Sequence, residues 1–429
     1  MEYLAIFTFV MLMITLISLI NERVFRMPND IALLLFSFLI CVALRIVNAI
    51  AVPAFLDRIL DMFRNFRFET YLLDGVLCYM LFAGAGQVHF NKFTMNLKNI
   101  SLLSLAATAV SAVLYGLLFY VALWALGREL SIWVCILLGC IIAPTDPIAA
   151  TGIMNKLGLS KNITTIIESE SLFNDGMGVV LFAFVKSIVT NMGQENFLYL
   201  MIKEALGAAA VAFILSIFLF SLVKRTREPA NHIFISILTV SLAYLICEAC
   251  GFSGAIASVV CGMYFSYRMD KLDSYRKVVD FEGIYDHFWE VVDHLLNSVL
   301  FILIGFSTLQ LELSLDILLI SVITVFCSLI SRAVGVGIPS KLAVSRKIPG
   351  GYSLPEYILL MTWSALKGGL SLALVLSTRE FLPESTYLIL LDAVYMTILF
   401  TVIIQGLTTK RMYRFIEHHK AMRIRKAGE

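Results

Sequence analysis

The sequence predicts an all-α polytopic membrane protein. Of its 429 residues, 59% are hydrophobic and only 15% are charged, which is far more apolar than a soluble chain needs. Apolar runs of about 18 residues or more recur along nearly the whole chain, which is typical of membrane-spanning helices and not of the short alternating strands of a membrane barrel. No stretch is long and polar enough to form a separate soluble domain.

Hydropathy predicts about 13 membrane spans. They lie near residues 3–20, 30–50, 70–90, 99–126, 130–153, 162–189, 197–223, 231–250, 252–267, 290–310, 314–340, 354–378 and 385–408. The first span has no basic segment before it and no small-residue cleavage site after it, so we expect a retained helix and not a signal peptide.

Basic residues are distributed unequally between alternate loops. One set of loops and the C-terminal tail hold roughly 23 Lys and Arg residues, whereas the opposite loops hold about 5. This asymmetry places the N-terminus outside and the C-terminus in the cytoplasm, as an odd number of spans requires. We therefore expect a multi-pass protein of the cell (inner) membrane.

Three further segments mix charge with apolar side chains. Residues 54–68 and 270–290 carry charges and aromatics at helical spacing, which predicts helices that lie along the membrane surface. The basic tail, residues 409–429, is either a lipid-facing anchor or an ordinary solvated end.

Two spans are interrupted by residues that break helices. GCIIAPTDPIAATGIM (139–154) in the fifth span places Asp146 between two prolines inside an apolar run. The twelfth span, seven spans later, is interrupted at Lys367, Gly368 and Gly369. An offset of seven spans reverses direction across the membrane, as an inverted repeat requires. Paired interrupted helices in two halves of a chain mark the substrate site of a transporter.

Two carboxylates lie near the middle of the membrane. With a rise of about 1.5 Å per residue, Asp146 lies roughly 22 Å from the outer end of its span and Asp175 roughly 20 Å from the opposite face. Because the hydrocarbon core is about 30 Å thick, both acids fall near its midplane. Acids at that depth are costly and indicate a functional site.

The helical spacing of the polar residues around Asp175 places them on two neighbouring faces of their span. Ser171 and Asp175 share one helical face, while Glu170 and Asn174 share the neighbouring face. Hard cations such as Na⁺ prefer oxygen ligands. We predict a site that uses Asp146, Asp175, Ser171 and either the Thr145 side chain or backbone carbonyls freed by the prolines. No His or Cys lies in the motifs PTDP (144–147) and ESESLFNDGMG (168–178), which argues against a transition metal, and no cofactor is expected.

Two basic residues lie inside spans. Arg332 and Glu170 both fall in the cytoplasmic half of the membrane, so we expect a buried ion pair between two helices, with an Arg332 side chain that reaches the membrane surface as the alternative. Lys367 lies at the second helix break, where a cation offsets the charge of carbonyl ends and of the two acids.

These segments resemble those of a known family. PTDPIAA, ESLFND and WSALKGGLSLAL, with LLNSVLFILIGF, SRAVGV and FTVIIQGLT, are similar to the NhaP-type sodium/proton antiporters, relatives of the animal sodium/proton exchangers. The resemblance implies an NhaA-like fold with inverted repeats and two crossed discontinuous helices. It also implies a core bundle at about 99–190 and 314–408, a dimerisation part at about 1–98 and 197–310, a homodimer, and an elevator-like movement of the core.

The resemblance also assigns roles to residues. It implies that Asp175 binds the ion and accepts the proton, that Thr145, Asp146 and Ser171 are ligands, and that Asn174 is the amide of the Asn-Asp pair. Glu170 and Arg332 resemble the structural ion pair of the family. Two positions depart from the family pattern. Ala83 stands where many members have an acid, with Asp74 more than two turns away, and Lys367 replaces the more usual Arg.

The sequence therefore predicts a transporter and not an enzyme, with Na⁺ or Li⁺ and H⁺ as substrates, a lipid membrane around it and no nucleic acid. Because Asn174 cannot titrate, we expect electroneutral exchange of one cation for one proton. A K⁺/H⁺ antiporter of the same fold is the alternative, and a cation channel is a third class. GFSG (251–254) also matches the serine motif of rhomboid proteases, but Ser253 is predicted near the outer face, far from His287 and His294.

Overall fold

Helices account for nearly all of the chain that can be placed. The computed structural model describes residues 2–50, 71–87, 90–146, 159, 161–190, 197–276, 281–307, 315–343 and 348–428. Within these ranges, strand-like backbone pairing is limited to one isolated bridge. Eight helices in the same ranges are long and apolar enough to cross a membrane. The all-α membrane fold is therefore confirmed, while the total of 13 spans stays a prediction.

The helices follow one another in a simple order. The first half of the described chain contains α1 (Glu2–Ile20), α2 (Asn29–Ile50), α3 (Leu77–Gln87), α4 (Phe90–Ser101), α5 (Thr108–Ala125), α6 (Ile132–Ile142) and α7 (Lys161–Val189). The second half contains α8 (Phe197–Val223), α9 (Pro229–Ala249), α10 (Gly254–Arg276), α11 (Phe281–Ser307), α12 (Leu315–Ala343), α13 (Leu354–Trp363), α14 (Gly369–Ser377), α15 (Glu384–Leu399) and α16 (Gly406–Gly428). Short π-helical stretches extend α1, precede α3, join α4 to α5 and join α15 to α16.

The buried apolar side chains form two clusters among the described residues. The smaller cluster is built from α3, α8, α9, α10 and the first part of α11. The larger cluster contains α5, α6, α7, α12, α13, α14 and α15, and it also receives α1 and α2. Helix α11 contributes to both clusters and contacts α2, α3 and α14, so it connects the two parts of the molecule. The division into a core bundle and a dimerisation part stays a prediction.

Two glycines let α5 and α6 pack with their backbones in contact. A Cβ atom added at Gly139 would lie 2.0 Å from the carbonyl oxygen of Ala112, and one at Gly116 would lie 2.5 Å from the Cα of Ile136. Such close approach between helices requires residues without side chains. The contact fixes the position of α6, which ends immediately before the first helix break.

The two helix breaks lie beside each other. Helix α6 ends at Ile142, and α13 and α14 are separated by residues 364–368. The isolated bridge joins Asp146 in the first break to Leu366 in the second, in antiparallel orientation. Residues 147–158, which hold Pro147 and the second half of the first interrupted span, lie outside the described residues.

The prediction of a surface helix at residues 270–290 is wrong for the part of this range that the structure describes. Helix α10 continues to Arg276 and α11 begins at Phe281, so these residues are the ends of two long helices. The charged residues of this range therefore belong to the end of α10 and the start of α11. The other predicted surface segment, residues 54–68, lies outside the described residues.

The basic tail is a helix that contacts the rest of the protein. Helix α16 continues the last span, and the guanidinium of Arg423 donates to the Glu356 carboxylate at 3.1 Å and to the carbonyl of Gly351 at 2.6 Å. The ammonium of Lys420 lies 4.0 Å from the centre of the Tyr352 ring. The tail therefore packs against the segment that leads into α13.

We expect Gly139→Ala to destabilise the protein. Its new methyl group would overlap the Ala112 carbonyl, which requires α5 and α6 to separate at a cost of about 1–3 kcal/mol. Thermal unfolding in detergent measures this cost as a lower melting temperature.

Gly86→Ala is the matched control, because a Cβ atom there meets nothing within 4 Å. Its melting temperature should stay the same or rise, since Ala favours a helix over Gly by up to about 1 kcal/mol. Equal melting temperatures for Gly139→Ala and the wild type would contradict the close packing of α5 and α6.

Candidate cation-binding site

The site begins with a backbone hydrogen bond between the two helix breaks. The amide of Asp146 donates to the carbonyl oxygen of Leu366 at 2.8 Å. Gly368 lies directly against the Asp146 side chain, because a Cβ atom at position 368 would be 2.9 Å from the Cβ of Asp146 and 3.0 Å from its Oδ2. Glycine is therefore required at position 368 for the two breaks to approach this closely.

Lys367 satisfies the carbonyls at the end of α6. Its Nζ donates to the carbonyl of Pro144 at 3.2 Å and to that of Ala143 at 3.4 Å. The side chain is buried, with 3% of its surface exposed. Where the sequence leaves these freed carbonyls open as ligands for a transported cation, the structure pairs them with the protein's own ammonium group.

Thr401 completes the pairing of the second break. Its Oγ1 accepts a hydrogen bond from the amide of Lys367 at 3.1 Å, and Gln405 donates to the carbonyl of Thr362 at 3.4 Å. Thr401 and Gln405 lie in the π-helical stretch Phe400–Gln405 that joins α15 to α16. Sequence reasoning missed both residues. Their signal was two polar side chains four residues apart in an otherwise apolar span.

Asn174 fastens the first break to α7. Its Oδ1 accepts from the amide of Thr145 at 3.2 Å, and its Nδ2 donates to the Thr145 hydroxyl oxygen at 2.8 Å and to Glu170 Oε1 at 3.0 Å. The hydroxyl of Ser171 donates to the carbonyl oxygen of Thr145. These contacts hold the extended segment beside the face of α7 that carries Asp175.

Glu170 and Arg332 form a buried bidentate ion pair. The two guanidinium nitrogens Nη1 and Nη2 donate to Oε1 and Oε2 of Glu170 at 2.9 and 2.8 Å. Both side chains are almost fully buried, so the pair joins α7 to α12 away from water. The expected ion pair is therefore present, and its role in the transport reaction stays a prediction.

A cavity of about 300 Å³ reaches the two carboxylates. The four residues predicted to bind the cation all line it: Thr145, Asp146, Ser171 and Asp175. The four residues predicted to support the site are not among the described residues that line it: Glu170, Asn174, Arg332 and Lys367.

The cavity is polar at one end and apolar at the other. Leu72, Leu77 and Leu370 line the end that the sequence places outside, whereas Glu168 and Asp293 line the end that it places in the cytoplasm. The acids that line the cavity beside Asp146 and Asp175 therefore come from the predicted cytoplasmic ends of α7 and α11. Sequence reasoning did not include these lining acids in the site.

The departure at Ala83 has a simple structural consequence. Ala83 is 1% exposed and packs in the smaller apolar cluster, while Leu81 and Gly84 of the same helix line the cavity. Helix α3 therefore contributes no carboxylate to the cavity within its described side chains. The structure does not describe the side chain of Asp74.

Ser253 has a structural role at the start of α10. Its Oγ accepts a hydrogen bond from the amide of Ile256 at 3.3 Å, which is the geometry of a helix N-cap. Ser253 does not line the cavity, whereas His294 does. The arrangement gives no support to a serine protease.

The chain is similar to known transport proteins over nearly its full length. The model of the family "Sodium/hydrogen exchanger, transmembrane" matches residues 12–414. The Na(+)/H(+) antiporter NhaP of Pseudomonas aeruginosa is 28% identical over 417 residues, which cover 94% of this chain and 94% of that protein. The Na(+)/H(+) antiporter NhaH of Halobacillus dabanensis is 27% identical over 358 residues, which cover 81% of this chain and 83% of that protein.

A solved structure shares the fold. The sodium proton antiporter MjNhaP1 of Methanocaldococcus jannaschii superposes with a TM-score of 0.72 at 19% sequence identity. The superposition covers 96% of this chain and 98% of that one.

We expect Glu170→Ala to destabilise the protein strongly, because it leaves the Arg332 guanidinium buried without its carboxylate partner. Loss of one member of a buried pair costs on the order of 3–5 kcal/mol. The melting temperature in detergent measures the effect.

Glu384→Ala removes the carboxylate of an exposed pair with Arg379, whose nitrogen lies 3.8 Å away, and should leave the melting temperature unchanged. Equal melting temperatures for both variants would show that the buried pair contributes nothing to stability.

Proposed function

The chain belongs to the sodium/hydrogen exchanger family, and on that premise we propose that it exchanges one Na⁺ or Li⁺ for one H⁺ across the cell membrane by alternating access. The similarity to NhaP and NhaH supports Na⁺/H⁺ exchange as the activity. The arrangement of charge around Asp146 and Asp175 supports the one-for-one ratio.

The observation that carries this proposal is the charge balance beside the cavity. Asp146 and Asp175 line the cavity, and the ammonium of Lys367 lies behind them on the carbonyls of Ala143 and Pro144. Glu170 and Arg332 neutralise each other in their own pair. With Lys367 protonated, two carboxylates and one ammonium leave a single negative charge. One Na⁺ or one proton brings the site to neutrality.

Occupation by sodium and by a proton is mutually exclusive in this proposal. Asp175 lines the cavity together with Ser171 and Asp146, and in this proposal its oxygens either bind a cation or hold a proton. A carboxylate that is protonated loses the charge that attracts Na⁺. Because an unbalanced charge near the membrane midplane is costly, the site crosses the membrane loaded with one or the other.

Asn174 supports a transport ratio of one proton per cation. Its amide cannot titrate, and both of its polar ends are already bonded to Thr145 and Glu170. It therefore adds no second proton to the cycle. We propose electroneutral transport on this basis.

The movement and assembly are proposed from the resemblance alone. In that proposal the bundle that carries both breaks moves as a unit against the rest of the molecule, and the protein is a homodimer. The network of Asn174, Thr145 and Lys367 supports movement as a unit, because it ties both breaks to α7 by hydrogen bonds.

We expect Asp146→Asn and Asp175→Asn each to reduce Na⁺/H⁺ exchange at least about a hundredfold, because the amide neither binds a proton nor carries the charge that holds Na⁺. Proton movement on addition of Na⁺, Li⁺ or K⁺ to everted vesicles measures the exchange. Protein levels in the membrane and melting temperatures should match those of the wild type.

Glu384→Gln is the control, since it removes an exposed carboxylate away from the cavity and should exchange normally. Near wild-type exchange by either aspartate variant would overturn the two-carboxylate site. A wild type that moves protons with K⁺ and not with Na⁺ would overturn the choice of sodium.

A further inference from the structure

A groove of about 680 Å³ lies between α8 and α10, and its described lining comes from these two helices. None of the described residues that line it belongs to the cavity beside Asp146 and Asp175. Three side chains at helical spacing form its apolar part on each helix, namely Phe213, Ile217 and Phe220 on α8 and Val260, Met263 and Tyr264 on α10. The groove is therefore a feature separate from the proposed exchange site.

The groove has an aromatic base and an open rim. The ring of Tyr264 lies between two rings of α8, with its centre 5.6 Å from that of Phe213 and 6.0 Å from that of Phe220. Phe220 is 1% exposed, whereas Phe213 is 51% and Ile217 is 47% exposed. The rim therefore opens sideways from the protein, towards the surroundings of the two helices.

The lining becomes cationic at one end. The last lining residue of α8 is Lys224 and the last of α10 is Arg268, and each directly follows a predicted span, at 197–223 and 252–267. Both cations are thus predicted at the cytoplasmic boundary of the membrane. The described lining contains no acid. Phe213 and Lys224 are eleven residues apart, which is about 16 Å along a helix and roughly half the thickness of the hydrocarbon core.

Arg268 is held over aromatic rings and not by a carboxylate. Its central guanidinium carbon lies 5.4 Å from the centre of the Phe220 ring and 6.0 Å from that of Tyr264. Within the described part of the chain these rings are its partners, and no hydrogen bond or ion pair is formed there. The Nε is buried, so a ligand reaches the guanidinium through its two outer nitrogens. A guanidinium oriented in this way suits an anion with several oxygens, such as a phosphate.

We propose that the groove binds one anionic phospholipid of the cytoplasmic leaflet. Its acyl chains occupy the apolar part between α8 and α10, and its phosphate lies at Lys224 and Arg268. A basic pocket between membrane helices on the cytoplasmic side suits an anionic head group. The ammonium of Lys271 adds positive charge at this end, because it lies 4.4 Å from the centre of the Tyr267 ring, which also lines the groove.

Two properties of the groove match a lipid better than a soluble anion. Its length is about that of one leaflet, and its polarity changes from apolar to cationic towards the predicted membrane surface, as the polarity of a phospholipid does. The groove belongs to the part of the molecule built around the smaller apolar cluster. The proposal does not depend on the proposed exchange reaction.

The test counts lipids bound to the purified protein by native mass spectrometry. The protein in detergent is titrated with dioleoylphosphatidylglycerol or with dioleoylphosphatidylcholine, which has the same acyl chains and no net charge. The wild type should bind one phosphatidylglycerol per chain at least about tenfold more tightly than phosphatidylcholine. Arg268→Gln and Lys224→Gln should each raise the Kd for phosphatidylglycerol about fivefold and leave that for phosphatidylcholine unchanged.

Arg225→Gln is the matched control for charge. Arg225 is exposed and directly follows Lys224 in the chain, but it does not line the groove. Its loss should leave the Kd for phosphatidylglycerol unchanged. Equal weakening by Arg225→Gln would show a general attraction of anionic lipids to the basic loop and would overturn the site, as would equal Kd values for the two lipids in the wild type.

Ile217→Trp tests the apolar part without removing a charge. The larger ring fills the groove and should weaken the binding of phosphatidylglycerol at least about fivefold. Ile214→Trp is its control, because Ile214 is 65% exposed on the same helix and does not line the groove. Glycerol 3-phosphate should not displace the lipid, since it lacks acyl chains. Displacement by it, or unchanged binding in Ile217→Trp, would contradict a lipid site.

The same spectra report the oligomeric state and so distinguish a lipid from a second copy of the chain. A change of oligomeric state in Ile217→Trp with unchanged lipid binding would assign the groove to a protein contact and overturn the proposal. Lys224→Gln keeps the test decisive if Arg268→Gln does not fold, because Lys224 is exposed. An unchanged Kd for phosphatidylglycerol in Lys224→Gln would then count against the site.

Discussion

The structure depends on pairing backbone groups that two broken helices expose within the membrane. Water cannot satisfy such groups in hydrocarbon, and each unpaired amide or carbonyl is costly there. Here the breaks satisfy each other. The amide of Asp146 bonds the carbonyl of Leu366, and the side chain of Lys367 bonds the carbonyls of Ala143 and Pro144. The same pairing places the Asp146 carboxylate at the cavity, so the constraint on the backbone also builds the proposed site.

The charges follow from this arrangement. An ammonium that is committed to backbone carbonyls stays behind the site, where it offsets one carboxylate without occupying the place of the transported ion. In the proposed mechanism the aspartate pair and the ammonium then carry one net negative charge, which one cation or one proton neutralises. Glu170 and Arg332 form a separate neutral pair that joins α7 to α12. In the proposed mechanism this pair therefore adds no net charge to the site formed by Asp146 and Asp175.

The sequence identified the residues of the proposed site more readily than the residues around them. Asp146, Asp175 and Lys367 stand out because they are charged residues beside helix breaks or inside apolar spans. Charged residues are costly at that depth and therefore indicate a function. The depth of Arg332 also anticipated its partner. Thr401 and Gln405 stand out in the sequence as two polar side chains four residues apart in an apolar span, but the sequence does not reveal which backbone groups they contact. Asp293 was missed for another reason. It lies only three residues inside the predicted span at 290–310, where a carboxylate near the end of a span is not costly and gives no signal, whereas the structure shows that it lines the cavity.

The most direct test of the account measures whether one proton balances one sodium ion. The purified protein is reconstituted into proteoliposomes with equal pH and equal Na⁺ on both sides, and valinomycin imposes a potassium diffusion potential. Because the site is neutral with either substrate bound, the potential should drive no net ²²Na⁺ movement, while a pH gradient under the same conditions should drive it. Sustained ²²Na⁺ uptake in response to the potential alone would show that the cycle carries charge, and it would contradict the one-for-one exchange at Asp175.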